Sequence, residues 1–356
     1  MQENLLLKDY DPVSMLSVKE HVVLTPKFPV FDAHIHIGAL QMDSGDDAFE
    51  DIETMVKRLK ESGVTGVINL KMFWGEPLKA HLKALSGYED FITTFASVDI
   101  TRLEEPDFPA YVDNLLKEFK SMGVRGLKLW KNIGCTVKDS TGAYIGPNDS
   151  RLRPIWDSAA KYGLIVLFHI ADPKSFFTPV DKHNEYYECL VDYPEWSFYD
   201  KGGEGRYSFE QLMEQQDNLL SENRDTTFII PHVGSCAEDL AWVGAQLDKH
   251  PNMYIDTAAR TNLLGRQPYT ARAFFIDYQD RILFGTDYGF GMKGDETQDF
   301  FADHYRFFET YDEYFRPIRN WGWGQGRWNI YGLGLPDDVL RKFYFENATK
   351  LLRGVK

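Results

Sequence analysis

Residues 30–38 read VFDAHIHIG, and the fold turns on how this stretch is understood. Val30, Phe31, Ala33, Ile35 and Ile37 form a short apolar, β-branched run that ends at glycine, the pattern of a strand leading into a loop. A doubly wound nucleotide-binding sheet would carry a Gly-rich turn, GxGxxG, after its first strand, and VFDAHIHIG has none. His34 and His36 stand two residues apart, so the two-residue period of a strand puts both imidazoles on one side. Two histidines placed so can face a single divalent ion. HxH alone is also what an exposed strand face carrying two histidines looks like.

Working outward, similar runs begin at Thr65 (TGVINLKMF), Ile92 (ITTFASVDI), Val124 (VRGLKLW), Leu164 (LIVLFHI), Thr227 (TFIIPHV), Asn252 (NMYIDTA) and Arg281 (RILFGTD). Segments with helical spacing lie between them, among them Phe49–Glu61, Tyr111–Ser121, Arg151–Tyr162, Phe209–Glu222 and Ala237–His250. Eight strand-helix units predict an α/β fold, a closed (β/α)8 TIM barrel, with an open doubly wound sheet as the alternative. We read residues 1–356 as one domain, with the barrel over about 28–310 and a C-terminal extension over about 311–356 that ends in a closing helix from Pro336 to Leu352. The step from Leu164 to Thr227 is the long one and holds an insertion, Asp172 to Arg206, rich in Tyr, Phe, Trp, Pro and Gly. In a barrel this loop lies at the catalytic face, as a substrate lid or as a loop packed by its own aromatics. A second aromatic stretch, Asn320–Tyr331 (NWGWGQGRWNIY), either caps the barrel or lines its pocket.

The chain has 356 residues, with 39 Lys+Arg against 54 Asp+Glu and a net charge of −15. That balance argues against nucleic acid and against an anionic membrane surface, both of which select basic faces. A small-molecule partner is the expectation. With 43% hydrophobic and 26% charged residues the composition is that of a globular protein. The first twenty residues lack the apolar run of a signal peptide or membrane span, so a cytoplasmic location is expected. Cys135, Cys189 and Cys236 are odd in number and widely spaced, with no CxxC pair, so a metal would be held by His and carboxylate.

Three more candidates stand where strands end: His169 closes LIVLFH, His232 closes TFIIPH and Asp287 closes RILFGTD. A barrel converges these ends on one mouth, which turns a weak HxH into a five-residue constellation. The set of HxH, His, His and Asp resembles the amidohydrolase superfamily, specifically the amidohydrolase-related branch that also includes decarboxylases similar to aminocarboxymuconate semialdehyde decarboxylase. FDAHIHIG, GLKLWKN, LFHIADP, IIPHVG, ILFGTD and the closing LPDDVLRKFYFENATKLL carry the likeness over most of the chain.

That resemblance implies one divalent ion held by His34, His36, His169 and Asp287. Zinc is the first expectation, with manganese, iron and nickel as alternatives and a second ion less favoured. His232 would ligate a second ion or act as acid/base beside a single one, and Asp287 would also take a proton from water. Lys128 would orient substrate, bridge two ions as a carboxylated lysine in the manner of binuclear relatives, or pair with a strand-end carboxylate. Arg260, just beyond Asp256, is placed to receive a carboxylate or sugar hydroxyl, or to form a surface ion pair. Asp172, Asn184 and Glu185, with Trp130, Phe176, Phe177 and Tyr288, are candidates to line a pocket suited to a sugar acid, lactone or aromatic acid. Lys131 and Asn132 lie at the loop start, where they can face solvent, and Lys131 can instead stand near the mouth with Arg260 and Lys128. The reaction expected is hydrolysis of an amide, ester or lactone; the alternative is non-oxidative decarboxylation in the same site. Members of this branch are often dimers or larger, so a homo-oligomer is expected. The other histidines, His21, His81, His183, His250 and His304, are expected in loops or at the surface.

Overall fold

The computed structural model describes residues 5–6, 9–10, 12–37, 52–289, 296–316 and 328–354. Eight parallel strands follow one another around a single sheet: β1 Val30–Ile35, β2 Val64–Leu70, β3 Ile92–Ala96, β4 Gly126–Leu129, β5 Ile165–Phe168, β6 Phe228–Ile230, β7 Met253–Asp256 and β8 Ile282–Leu283. The segment after β8 returns to β1, where Ala33 N donates to Phe284 O, Asp287 N to His34 O and His36 N to Tyr288 O, each at 2.8 Å. These bonds close the ring, and the fold is a TIM barrel. Among the described residues no helix is long and apolar enough to cross a membrane.

The helices form because their apolar residues recur on one face. Along Phe108–Ser121 the buried side chains are Phe108, Val112, Leu115, Leu116 and Phe119, and Pro109 occupies the first turn, where a missing N–H is harmless. The helix stops where Gly123 takes φ +82°. Phe209–Glu222 begins with a reciprocal capping box between Ser208 and Gln211. The helical face predicted to start at Phe49 is described from Ile52 to Glu61.

On β4, Leu127 and Leu129 pack outward against the helices, so Gly126 and Lys128 face inward. A Cβ at position 126 would lie 2.5 Å from Ile165 O and 2.6 Å from the Phe95 ring, so glycine is what lets β3, β4 and β5 close up there. The closing helix is broken into Asp337–Arg341, a π-helical turn at Lys342–Glu346 and Asn347–Gly354. Asn347 Nδ2 donates to Ile282 O and Gln279 O, and Ala348 and Leu351 join Phe31, Leu167 and Ile229 in an apolar cluster that fills the barrel's interior.

The insertion packs on itself. Asn184 Nδ2 donates to Ser175 O and Pro179 O, while Phe176 packs on Tyr186 and Trp196, and Phe177 on Phe198 and Phe209. Residues 320–327 of the Asn320–Tyr331 stretch lie outside the described residues. Its end is pinned by an antiparallel bridge between Phe315 and Ile330 and by Tyr331 N donating to Gly265 O. Two histidines expected at the surface are buried instead: His250, paired with Asp217 at 2.7 Å, and His304, whose Nδ1 donates to Phe300 O at 2.8 Å.

Candidate metal centre

Among the described residues, His34, His36 and Asp287 form the group whose donor atoms lie close enough to share one ion, all within 4.8 Å of one another. His36 Nε2 is 3.1 Å and His34 Nε2 is 3.3 Å from the same atom, Asp287 Oδ1. The barrel's closure between β1 and the chain after β8 makes this meeting. Asp32 reinforces it: its buried carboxylate accepts from Thr286 Oγ1 at 2.5 Å, Thr286 N at 3.1 Å and His34 N at 3.0 Å.

His34 Nδ1 is 2.8 Å from Asp256 Oδ2, so Nδ1 carries a proton and Nε2 is the nitrogen that faces Asp287. Burial disfavours charge on His34, but Asp256 and Asp287 outweigh it and its pKa lies above the usual value. For His36 burial wins, and its pKa falls to about 4. Burial would raise Asp287, yet His34 and His36 hold it well below the usual carboxylate range. An ionised carboxylate beside two imidazole nitrogens is a donor set suited to a divalent cation once those nitrogens are free of protons. The residues present therefore fit a metal ion.

The ring of His232 lies 5.1 Å from that of His34 and 4.2 Å from that of His169, centroid to centroid. Its Nδ1 donates to Ala258 O at 2.9 Å, which leaves Nε2 as the basic nitrogen, and burial holds its pKa well below the usual value. His169 stands outside the three-donor group. Its buried Nε2 is 3.3 Å from Asp172 Oδ1 without forming a hydrogen bond, and burial lowers its pKa to about 3. Lys128 is 2% exposed and, among the described residues, has no ion pair within 4 Å. Burial brings its amine down to about 8.

Of the six described non-glycine residues with positive φ, five follow directly on β6, β7 and β8: His232, Val233, Ser235, Ala259 and Asp287. Such conformations cost about 1–3 kcal/mol each and persist where the surroundings impose them. Two of the five, His232 and Asp287, are residues of the site.

Around the mouth the sequence-based expectations separate. Lys131 does not face solvent; it is paired with Asp172 and lies over the rings of Trp130, Trp196 and Phe198. Arg260 is 7% exposed, and its Nη1 donates to Ala259 O at 2.9 Å. It forms no ion pair within 4 Å among the described residues, which sets aside the surface ion pair. Glu185 is turned outward and pairs with Arg266 at 2.8 Å. Tyr288 packs against Phe300 and Phe301 with its hydroxyl on Thr297, toward the helix layer rather than the mouth. Asn184 staples the insertion. One residue that sequence reasoning passed over belongs to the site. Asp256 grips His34, and its one legible signal is its position at a strand end.

The amidohydrolase family model matches residues 93–354, nearly three quarters of the chain. The chain belongs to the amidohydrolase family. No curated protein matches this amidohydrolase. Among solved structures it resembles an uncharacterized TIM-barrel protein from Bordetella bronchiseptica, at 15% identity and a TM-score of 0.57, covering 92% of this chain and 99% of the other. A probable 2-pyrone-4,6-dicarboxylic acid hydrolase from Acinetobacter baumannii matches at 12% identity and 0.53, over 92% of this chain and 100% of that one. A 2,6-dihydroxybenzoate decarboxylase from Rhizobium matches at 16% identity and 0.54, over 91% and 98%. At these identities the amidohydrolase shares a fold with them.

Proposed function

We propose that this amidohydrolase is a metal-dependent hydrolase of an amide, ester or lactone bond in a small carboxylate-bearing substrate, a sugar acid or an aromatic acid. The observation that carries this reading is the convergence of His34, His36 and Asp287 within 4.8 Å beside an uncharged His232. His34, His36 and Asp287 would hold one divalent ion, zinc in the first instance, with His169 as candidate fourth donor because its buried Nε2 makes no hydrogen bond. Such an ion supplies Lewis acidity and lowers the pKa of water from 15.7 to about 7.

The chain's own groups do the rest. His232 keeps its Nδ1–H on Ala258 O, so it begins as a proton acceptor at Nε2 and becomes a donor once it has taken a proton. Asp287 is the second acceptor facing that space and passes the proton to the leaving group. Arg260, buried at the mouth without a carboxylate partner among the described residues, receives the substrate's carboxylate, and Lys128 adds a second cationic group from β4. Lys131 and Asp172 neutralise each other and, with Trp130, form one wall.

Non-oxidative decarboxylation is the second reading, favoured by the same two cations, which suit a substrate whose carboxylate is itself the reacting group. Both the hydrolase and the decarboxylase named among the structural neighbours carry the names of carboxylic acids. The test is a panel of lactones, esters and carboxylated aromatics given to the metal-loaded enzyme with release of acid and of CO2 recorded separately. Acid release without CO2 supports hydrolysis, CO2 release supports the second reading, and a metal-free protein inert to the whole panel with added zinc, manganese, iron or nickel overturns both.

A further inference from the structure

We propose that Asp256 is a positioning residue whose single carboxylate fixes the tautomer of His34 and the backbone of His232 together. The proposal deepens the metal-centre reading and rests on it for its meaning, since the nitrogen it aims is the one offered to the ion. Asp256 ends β7 and is 0% exposed. Its Oδ2 accepts from His34 Nδ1 at 2.8 Å, while its Oδ1 accepts from the backbone N–H of His232 at 3.0 Å and of Ala258 at 3.1 Å. Ala258 then completes the loop, because its carbonyl accepts from His232 Nδ1.

The consequences follow from donor and acceptor chemistry. A carboxylate has no proton to give, so His34 must carry hydrogen on Nδ1, and Nε2 is the nitrogen left to face an ion. His232 takes φ +58°, which few side chains adopt, and the Asp256 bond to its N–H holds it there. One group on β7 thus sets the direction of Nε2 in a residue on β1 and in a residue after β6.

The backbone has been shaped for this contact. β8 separates β7 from β1, and Gly285 occupies the crossing point. A Cβ there would lie 3.0 Å from both His34 Cβ and Asp256 Cβ. Glycine at 285 opens the gap through which the two side chains meet.

Asp256→Asn is the decisive variant, because an amide cannot accept on both sides. If its oxygen faces His34, its NH2 opposes the His232 and Ala258 N–H groups; if it turns over, its NH2 donates to His34 Nδ1 and drives the proton to Nε2. 15N-histidine labelling, read in long-range 15N–1H spectra of metal-free and zinc-loaded protein, reports whether His34 Nδ1 carries hydrogen, and zinc affinity is read by competition with a chromophoric chelator. The expected result is a His34 signal shifted from the Nδ1–H pattern, or a disturbed His232 signal, with zinc affinity reduced about 10- to 100-fold. Gly285→Ala removes no polar group and is expected to give the same change in weaker form, so it decides the matter if Asp256→Asn does not fold. Unchanged His34 and His232 signals with zinc affinity within about twofold of wild type, a smaller change than any attributed to an outer-shell ligand partner, overturn the proposal. If wild-type protein binds no zinc, the metal-centre reading fails by itself, and the tautomer spectra still decide whether Asp256 positions the two rings.

Discussion

The Nε2 atom of His36 lies 3.1 Å from Oδ1 of Asp287, across the seam where the first strand meets the chain leaving the last. Two groups from opposite ends of the sequence thereby present donors to the same point. His36→Ala and Asp287→Ala are each expected to lose the bound ion and activity together. Elemental analysis after dialysis, paired with far-UV circular dichroism to show that the barrel persists, checks this; full metal content in either variant would contradict the assignment.

His232 behaves differently if it moves protons beside the ion. His232→Ala is expected to keep most of the metal while turnover falls about 10²- to 10⁴-fold, the range for loss of a general acid or base. Loss of half of a two-metal content would instead make His232 a ligand.

Arg260→Met removes a buried cation that lacks a carboxylate partner among the described residues. A charge-assisted hydrogen bond contributes about 1.5–3 kcal/mol, so KM for carboxylate-bearing substrates should rise about 10- to 100-fold. An ester analogue lacking that carboxylate should show little change, and an equal loss for both compounds would remove Arg260 from substrate recognition.

Burial pushes the His304 imidazole down to about 4, against the pull of its bond to Phe300 O. An unfolded histidine titrates near 6.5, so below that pH the unfolded chain binds a proton that the folded chain refuses. The contribution is full above about pH 6.5 and declines as pH falls toward 4, by about 2 kcal/mol between pH 7 and pH 5. His304→Phe, which suits a site lined by Phe284 and Phe300, is expected to show a smaller drop in urea midpoint over that interval than the wild type. Equal drops would show that His304 accepts its proton in the folded state.

Gly126→Ala places a methyl group against Ile165 O and the Phe95 ring. The strain expected is about 1–3 kcal/mol, read as a lowered urea midpoint. Phe95→Leu in the same chain should recover part of it, because only the ring contact is relieved.

Much of the barrel was legible in the linear sequence, because strand and helix periods are local properties. The predicted strand starts at Val30 and Ile92 coincide with the observed ones, and those at Thr65, Leu164, Thr227, Asn252 and Arg281 fall one residue away. The break in the closing helix at Lys342–Glu346 was not legible, since its residues keep a helical pattern throughout. His304 and His250 carry no local sign of burial, because burial of an isolated polar residue is set by what folds over it.

The sequence by itself determined which residue types arrive at the barrel mouth, since a residue ending a parallel strand must face that end. It could not determine which nitrogen points where. That depends on contacts between strands that are remote in sequence: Asp256 reaching His34 through the gap at Gly285, Asp172 drawing both His169 and Lys131, and Phe300 and Phe301 taking the Tyr288 ring. Hydrogen bonds act over about 3 Å and depend on direction, so only the tertiary structure, which sets those distances, decides the chemistry of the site.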